Sequence, residues 1–245
     1  MPTLVTIALG AVAVYGLVAL LVWAFQQRLV FFPTTGAYRA TPAAVDLAWR
    51  DLTLTAADGT RISAWFIEPP APGAPVVLFL HGNAGDMSHR LERIAALHDL
   101  GMATLMIDYR GFGTSGGTPD EAGLYQDAQA AWDWLTRAGG YPPAWIVPFG
   151  RSLGAPLAAR LAADHGAAAV VLESAFTSLP ELAAHHYPWL PARQLTRYRF
   201  DTAAALAATR CPVLIAHSPQ DEIVPFSHAD ALARLRPAAT HRARL

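Results

Sequence analysis

A serine flanked by two glycines lies in the middle of the chain, in Gly150-Arg151-Ser152-Leu153-Gly154. An apolar run precedes it at 144–147, and an Ala/Leu-rich helical pattern follows it at 153–163. A Gly-x-Ser-x-Gly turn between a strand and a helix holds the serine hydroxyl outward on a strained backbone, where it can act as a nucleophile. The glycines suit such a turn because the neighbouring backbone leaves no room for side chains. The five residues alone also fit a serine in an ordinary glycine-rich turn.

Two other loops with useful chemistry follow apolar runs. His81-Gly82-Asn83-Ala84-Gly85 comes directly after the run 76–80, and Ser218-Pro219-Gln220-Asp221 follows the run 213–216. Because the carboxyl ends of parallel strands meet at one edge of a sheet, we expect both loops to lie beside Ser152. A glycine-bearing turn can present a backbone N–H to a developing oxyanion, and a carboxylate can orient a base. The order of oxyanion loop, serine and acid therefore predicts a site for nucleophilic catalysis.

Strands and helices alternate from Val76 onward, after a predicted hairpin that pairs 47–55 with 61–67. Such alternation is typical of an α/β domain with a mostly parallel central sheet and helices on both faces. Pro148 stands inside the strand that should be central, where its missing N–H argues locally against the assignment. The predicted strands are 76–80, 103–108, 145–149, 168–172 and 213–216, and the predicted helices are 88–100, 119–138, 153–164 and 227–235.

The N-terminal segment contains no charged residue from Leu4 to Phe25. As a helix these 22 residues would reach about 33 Å, enough for a hydrocarbon core of about 30 Å. A cleaved signal peptide is the alternative, although the apolar run is long for one and no Arg or Lys precedes it. We therefore predict a transmembrane anchor at 1–27 and one α/β domain at 28–245. Arg28 and Arg39 favour a cytoplasmic domain, but two residues are too few to assign the side.

Composition narrows the classes of partner. The formal net charge is -1, so no basic field exists to gather nucleic acid. The single cysteine, Cys211, excludes a disulfide within the chain. The adjacent histidines His185 and His186 would point to opposite sides of an extended chain, and neither a His-Glu-x-x-His motif nor a cysteine pair is present. We expect neither a metal nor another cofactor, and we expect a small-molecule or acylated substrate together with a membrane as partners.

Several stretches together are similar to one known family. The chain resembles the BEM46/ABHD13-like group of membrane-anchored α/β-hydrolases, which is often placed in the serine aminopeptidase S33 clan. The resemblance covers about residues 76 to 226 and implies an α/β-hydrolase fold with a small cap insert at about 174–201. The matching stretches are His81-Gly82-Asn83-Ala84-Gly85, 108–115, Gly150-Arg151-Ser152-Leu153-Gly154, Glu173-Ser174-Ala175-Phe176, and 221–225.

The resemblance also implies roles for individual residues. Ser152 would be the nucleophile, Asp221 the acid that orients a histidine, and the N–H groups of Asn83 and Leu153 the oxyanion hole. The reaction would cleave a carboxylic ester, thioester or amide through an acyl-enzyme, with a lipid-like or acylated substrate. For Asp221 a second reading stays open, in which its carboxylate caps the helix after Pro225. We expect His81 to hold its own loop by hydrogen bonds and not to serve as the base.

The triad histidine is where the chain departs from the family pattern. Only His228 and His241 follow Asp221, and His228 is expected to be a solvated residue near the start of a helix. His241 begins the alternating stretch 241–245, which is typical of the start of a last strand. That start would lie roughly 16–20 Å from the edge that carries the site, so His241 is a weak candidate. We therefore expect the last strand to be incomplete and the loop with the base to be absent. The alternative function is accordingly a catalytically deficient or truncated binding scaffold.

Overall fold

The computed structural model describes residues 2–236 and 240–245. It begins with helix α1 (Pro2–Ala24), whose side chains are mostly exposed, and continues in the short helix α2 (Gln26–Val30). The span Thr3–Ala24 has a mean hydropathy of 2.5 and, by length and composition, could cross a membrane. A core helix of a soluble protein would bury such residues, whereas α1 leaves them open. The helix expected from the uncharged N-terminal run is therefore present.

The domain that follows is organised around a sheet of eight strands in the order β10-β9-β8-β7-β4-β6-β3-β2. Strand β3 is antiparallel to both β2 and β6, and the other neighbours are parallel. The mostly parallel sheet predicted from the alternation is thus confirmed. The strands are β2 (Trp49–Thr55), β3 (Arg61–Ile67), β4 (Val76–Leu80), β6 (Ala103–Ile107), β7 (Ile146–Arg151), β8 (Val170–Glu173), β9 (Val213–His217) and β10 (Thr240–Arg244), while β1 (Phe32–Pro33) and β5 (Ala84–Gly85) form a separate parallel pair.

Helices cover the two faces of this sheet, so the central strands are buried on both sides. Every residue of β4 and β6 is buried, as expected for strands with a core on each face. Phe79 packs with the residues of α3, whereas its neighbour Leu78 packs in the other core with those of α4 and α5. The helices after α2 are α3 (Leu91–Asp99), α4 (Glu121–Arg137), α5 (Gly154–His165), α6 (Leu179–His186), α7 (Ala192–Leu195), α8 (Thr202–Ala208) and α9 (Phe226–Leu235).

Pro148 lies in β7 without disrupting the sheet. Backbone groups alternate along a strand, so the nitrogen of Pro148 faces the same neighbour as that of Ser152, which donates to the carbonyl of Glu173 on β8. Strand β8 pairs with β7 only from Phe149 onward. The Pro148 nitrogen therefore faces β8 at a point before the two strands begin to pair. No hydrogen bond between the strands requires a donor there. The local objection to this strand assignment was wrong for that reason.

The last described strand, β10, lies at the edge of the sheet beside β9. Strand β10 pairs with β9 from Val213 to His217, and the N–H of Leu245 donates to the carbonyl of His217 at 3.2 Å. Strand β10 thus pairs along the whole of β9, and the expectation of an incomplete last strand stays a prediction. His241 pairs opposite Leu214, in the half of the strand far from the site, as its spacing predicted.

The segment 174–201, here called the cap, contains α6 and α7 and lies against the N-terminal helices. A side-chain pair from Arg193 to Glu181, at 2.7 and 2.8 Å, joins the two cap helices. The Gln26 amide donates to the carbonyl of Leu195 at 2.6 Å and accepts from the N–H of Arg197 at 2.8 Å. The cap and the start of the chain therefore form one continuous surface.

Candidate active site

The predicted nucleophile turn has the geometry that its sequence indicates. Strand β7 ends at Arg151, helix α5 begins at Gly154, and Ser152 between them has a φ of 51°. A left-handed conformation at a residue with a side chain costs about 1–3 kcal/mol and persists only where the surroundings impose it. Here the Ser152 N–H donates to the carbonyl of Glu173 at 2.8 Å, and its own carbonyl accepts from Ala155 at 2.9 Å. The hydrogen bonds to Glu173 and from Ala155 thus hold Ser152 in the strained conformation.

The two glycines of the turn are required by close backbone contacts. A Cβ on Gly150 would lie 2.6 Å from the Cα of Ala155, and one on Gly154 would lie 2.6 Å from the carbonyl carbon of Leu80. Real Cβ atoms essentially never come so close, so any side chain would displace β4 or α5. The backbone crowding inferred from the sequence therefore explains why positions 150 and 154 are both glycine.

Ser152 opens into a cavity of about 530 Å³ at the carboxyl edge of the sheet. Asn83, Asp221 and Leu245 also line this cavity, so three of the four predicted site residues meet there. Leu153 is buried directly behind the serine and would contribute only its N–H. Among the residues that the structure describes, neither the N–H of Asn83 nor that of Leu153 has a hydrogen-bond partner. Two free amides therefore flank the serine.

The loop that carries Asn83 is fastened from two sides. The Asn83 side chain donates to the carbonyl of Val30 at 2.8 Å, and its own carbonyl accepts from the N–H of Phe32 at 2.8 Å. On the other side the Tyr109 hydroxyl donates to the carbonyl of His81 at 2.8 Å. His81 is itself fully buried, with Nε2 3.2 Å from the Asp108 carboxylate. Its Nδ1 lies 2.7 Å from the Gly82 carbonyl, so this histidine holds the loop, and it does not line the serine cavity.

Asp221 has one oxygen occupied and one available. Its Oδ1 accepts from the N–H groups of Ile223 and Val224 at 3.0 and 2.8 Å, which shapes the turn before α9. The helix-capping role left open by the sequence was wrong, because α9 begins after Pro225 without a side-chain cap and the carboxylate binds the turn before it. Its Oδ2 accepts no hydrogen bond within the described ranges, and its nearest base is the buried His217, 3.6 Å away. His217 Nε2 is instead bound to the carbonyl of Val224 at 2.8 Å. The free oxygen can therefore still orient a base.

No histidine of the described chain lines the serine cavity. His228, expected to be solvated, is buried at the start of α9, with Nδ1 3.0 Å from the Thr177 hydroxyl. Burial lowers its pKa, with His185 and His217 adding to the effect. The expectation failed because α9 turns this residue toward the cap instead of toward water. The cavity accordingly presents a nucleophile, two amides and a carboxylate, without an imidazole from the described ranges.

Charged residues that the sequence reasoning did not select also line the cavity. Arg90, Arg151 and Glu173 share it with Ser152, and Glu173 pairs with Arg151 at 3.2 Å and with Arg93 at 3.0 Å. Burial, and then repulsion from Arg151, lowers the pKa of Arg90. The sequence could have indicated Glu173 and Arg151, because each lies at the end of a predicted strand. Arg90 lies on a short helical turn, and no sequence pattern marks it as a site residue. The cavity is therefore lined by both signs of charge.

Comparisons with known proteins agree with this geometry. Residues 75–221 match the family described as the alpha/beta hydrolase fold. The chain is 41% identical over 230 residues to the uncharacterized protein Rv2307c of Mycobacterium tuberculosis, covering 92% of this chain and 82% of that one. It is 33% identical over 211 residues to the lysophosphatidylserine lipase ABHD12 of Danio rerio, covering 78% of this chain and 52% of the lipase.

A solved structure gives the same fold at low identity. The esterase Pf2001 of Pyrococcus furiosus superposes with a TM-score of 0.70 at 21% identity, covering 88% of this chain and 87% of that one. At that identity the likeness concerns the fold alone. With the family match, the sheet order and the serine turn in agreement, this chain belongs to the α/β-hydrolase fold family.

Proposed function

We propose that this chain is a serine hydrolase that cleaves carboxylic ester, thioester or amide bonds through an acyl-enzyme on Ser152. One observation carries the proposal: the strained serine shares a cavity with Asn83 and the Asp221 carboxylate, and within the described residues the N–H groups of Asn83 and of the adjoining Leu153 have no hydrogen-bond partner. Nucleophile, acid and oxyanion donors are three of the four parts that acyl transfer requires.

The roles follow from chemistry. The Ser152 hydroxyl attacks the carbonyl carbon of the substrate while a base takes its proton. The oxygen of the tetrahedral intermediate accepts hydrogen bonds from Asn83 and Leu153, each worth about 3–4 kcal/mol in related sites. The free Oδ2 of Asp221 would hold an imidazole in the correct tautomer and stabilise its protonated form. Collapse of the intermediate breaks the bond to the alcohol, thiol or amine, which leaves with the proton that the base had taken. Water then attacks the acyl-enzyme by the same route, which releases the carboxylic acid and restores the Ser152 hydroxyl.

We place the substrate among lipid-like or acylated molecules and the protein in a membrane. Helix α1 is long and apolar enough to span the hydrocarbon core, and one relative is named as a lipase of lysophosphatidylserine. On this proposal residues 1–27 are a single-pass anchor, residues 28–245 are the hydrolase domain, and the chain belongs with the BEM46/ABHD13-like group.

A second candidate is a catalytically deficient scaffold that binds an acyl ligand. The observation that favours it is the cavity lining, which includes no described histidine. Such a protein would keep the fold and the pocket but would form no acyl-enzyme at a useful rate.

A fluorophosphonate probe on the full chain in detergent micelles distinguishes the two. Under the first proposal Ser152 is labelled and Ser152→Ala abolishes labelling, whereas Ser218→Ala, which alters another serine of the same cavity, keeps it. Labelling that persists in Ser152→Ala would contradict the assignment of the nucleophile. A folded protein that is not labelled, yet binds an acyl ligand, would favour the scaffold.

A further inference from the structure

Two arginines line the serine cavity, and the proposed acyl transfer gives neither of them a role. Arg90 lies on the helical turn after the loop that carries Asn83, and Arg151 directly precedes Ser152. We call Arg90 and Arg151 the arginine pair. Repulsion from Arg151 contributes to the lowered pKa of Arg90, so the two positive charges lie close enough to act on each other. Two like charges beside one cavity are unfavourable until a negative charge joins them.

Arg90 is short of acceptors. Its Nη2 donates to the carbonyl of Ala84 at 2.6 Å, whereas its buried Nε has no hydrogen-bond partner in the part of the chain that the structure describes. The carboxylates of Asp86 and Asp108 attract it but hydrogen-bond other groups, and within the described ranges neither forms an ion pair with it. A guanidinium has five N–H donors, so a negative charge beside this one would offset the acceptors that it lacks.

Arg151 shares its carboxylate with another arginine. Its Nε lies 3.2 Å from Oε1 of Glu173, and the same oxygen accepts from Nη2 of Arg93 at 3.0 Å. Glu173 is buried, whereas the Arg151 side chain is 44% exposed, and its Nη groups have no partner among the described residues. One carboxylate cannot neutralise two guanidiniums, so positive charge exceeds negative charge at this wall of the cavity.

The strand order separates the arginine pair from the acid. Arg151 ends β7, Arg90 lies in the connection after the neighbouring β4, and Asp221 follows β9, two strands away from β7. With neighbouring strands about 4.8 Å apart, the strand end before Asp221 lies roughly 10 Å from that of Arg151. The serine cavity thus has a positive end and an acidic end. An anionic ligand would therefore have one preferred orientation, which leaves the acidic end to the base.

The arginine pair lies beside the reacting atoms. Arg151 and Ser152 are consecutive, so their Cα atoms are about 3.8 Å apart. The Ala84 carbonyl that holds Arg90 follows Asn83, the proposed oxyanion donor. The cavity of about 530 Å³ falls in the range of about 300–1,000 Å³ typical of ligand pockets, so one small molecule can fill both places. A negative charge at the pair would then belong to the molecule that reacts at the serine.

We propose that Arg90 and Arg151 bind an anionic group, a carboxylate or a phosphate, on the substrate whose carbonyl reacts at Ser152. The proposal rests on the proposed function and narrows its substrates to acyl compounds that carry a negative charge near the scissile bond. Guanidinium N–H groups match the geometry of both anions, and such charge-assisted hydrogen bonds are roughly twice as strong as neutral ones. A neutral analogue would leave both guanidiniums without this acceptor, so the cavity discriminates against it.

Paired esters that differ in charge test the proposal on the full chain in non-ionic detergent micelles. 3-Carboxyphenyl butyrate and 3-phosphonooxyphenyl butyrate carry an anion in the alcohol part, and 3-carbamoylphenyl butyrate is their neutral counterpart. The 4-nitrophenyl esters of adipic acid and of its monoamide place the charged and neutral groups in the acyl part. In at least one pair, Arg90→Gln and Arg151→Gln should each lower the ratio of charged to neutral kcat/KM about tenfold, which is about 1.4 kcal/mol. The ratio cancels any loss of the Ala84 contact that affects both esters equally.

Two further variants serve as controls. Arg137→Gln removes an equal charge from an 80% exposed side chain on α4 and should leave the ratio unchanged. Glu173→Gln relieves Arg151 of its carboxylate and should raise the ratio. Ratios that stay constant in both Arg90→Gln and Arg151→Gln, for every pair of esters, would overturn the proposal. An equal fall in Arg137→Gln would reduce the effect to net charge and would overturn it as well.

A binding readout separates this proposal from the hydrolase assignment. Calorimetric titration of Ser152→Ala protein with the same esters should show about tenfold tighter binding of a charged ester than of its neutral counterpart. Adding Arg90→Gln should remove that difference, and Arg151→Gln alters a half-exposed side chain should the first variant fail to fold. Selective binding without hydrolysis by the unaltered chain would keep the anion site and reject the enzyme. Hydrolysis without charge preference would keep the enzyme and overturn the site, as would equal binding or binding of neither ester.

Discussion

A buried ion pair fastens the loop after β6 to helix α4, and its removal gives a quantitative test of how this edge of the sheet is held. The Asp127 carboxylate is fully buried and accepts from the Arg110 N–H at 2.8 Å and from its Nη2 at 2.8 Å. The same guanidinium reaches Asp58, in the turn between β2 and β3, at 2.7 Å. One arginine thus joins three elements.

The expected loss comes from the charge left behind. Burial raises the pKa of Asp127 although Arg110 hydrogen-bonds its carboxylate, so keeping this group charged is unfavourable in itself. Attraction within such a pair is therefore not a large net source of stability. Asp127→Ala instead leaves Arg110, whose side chain is 7% exposed, with unpaired donors. We expect the free energy of unfolding to fall by about 3–5 kcal/mol, which corresponds to a fall of about 6–20 °C in Tm.

Thermal unfolding of the full chain in micelles, followed by circular dichroism, measures this loss. The double variant Arg110→Met/Asp127→Leu removes both charges and should recover more than half of it, because apolar replacements of buried pairs are often neutral. Asp58→Ala removes the more exposed partner and should lower Tm far less. The reasoning is refuted if the double variant is no more stable than Asp127→Ala.

Three further outcomes are expected. Gly154→Ala should destabilise the protein by about 1–3 kcal/mol or more and abolish fluorophosphonate labelling, because the added Cβ strikes the backbone of β4; unfolding and labelling report this together. Hydrogen bonds from Arg110 lower the pKa of Asp58 to about 2, so its stabilisation is present above about pH 4 and lost as the pH falls toward 2. The Tm difference between wild type and Asp58→Asn should therefore vanish over that interval, and a constant difference would contradict the ion pair. If the chain hydrolyses esters, Asp221→Asn should lower kcat by about 10⁴-fold through the lost orientation of the base, whereas the neighbouring Glu222→Gln should retain activity.

Local signals predicted much of the architecture. The serine turn depends on glycines at fixed spacing, and the backbone contacts of Gly150 and Gly154 are the reason that this spacing was informative. The buried strands β4 and β6 were visible as apolar runs because both faces are covered. The loop carrying Asn83 was found because it follows one of these strands directly.

The remaining features depend on contacts between distant parts of the chain. Tyr15 and Trp189 are 174 residues apart, and no pattern in either stretch indicates that they meet. His228 was misjudged because its surroundings come from Thr177 and the cap, not from its own helix. The register of β10 on β9 is likewise set by a distant strand, and the sequence predicted only that His241 lies far from the site.

The strand pair β1–β5 connects the N-terminal helices to the chemistry of the site. Phe32 and Pro33 lie beside Ala84 and Gly85, so the backbone that leaves α2 becomes a strut for the loop that carries Asn83. A shift of α1 and α2 relative to the domain would be transmitted directly to the loop that carries Asn83. The N-terminal segment is therefore a structural support of the loop that carries Asn83, and a shortened version of the protein that begins after Pro33 would lose that support.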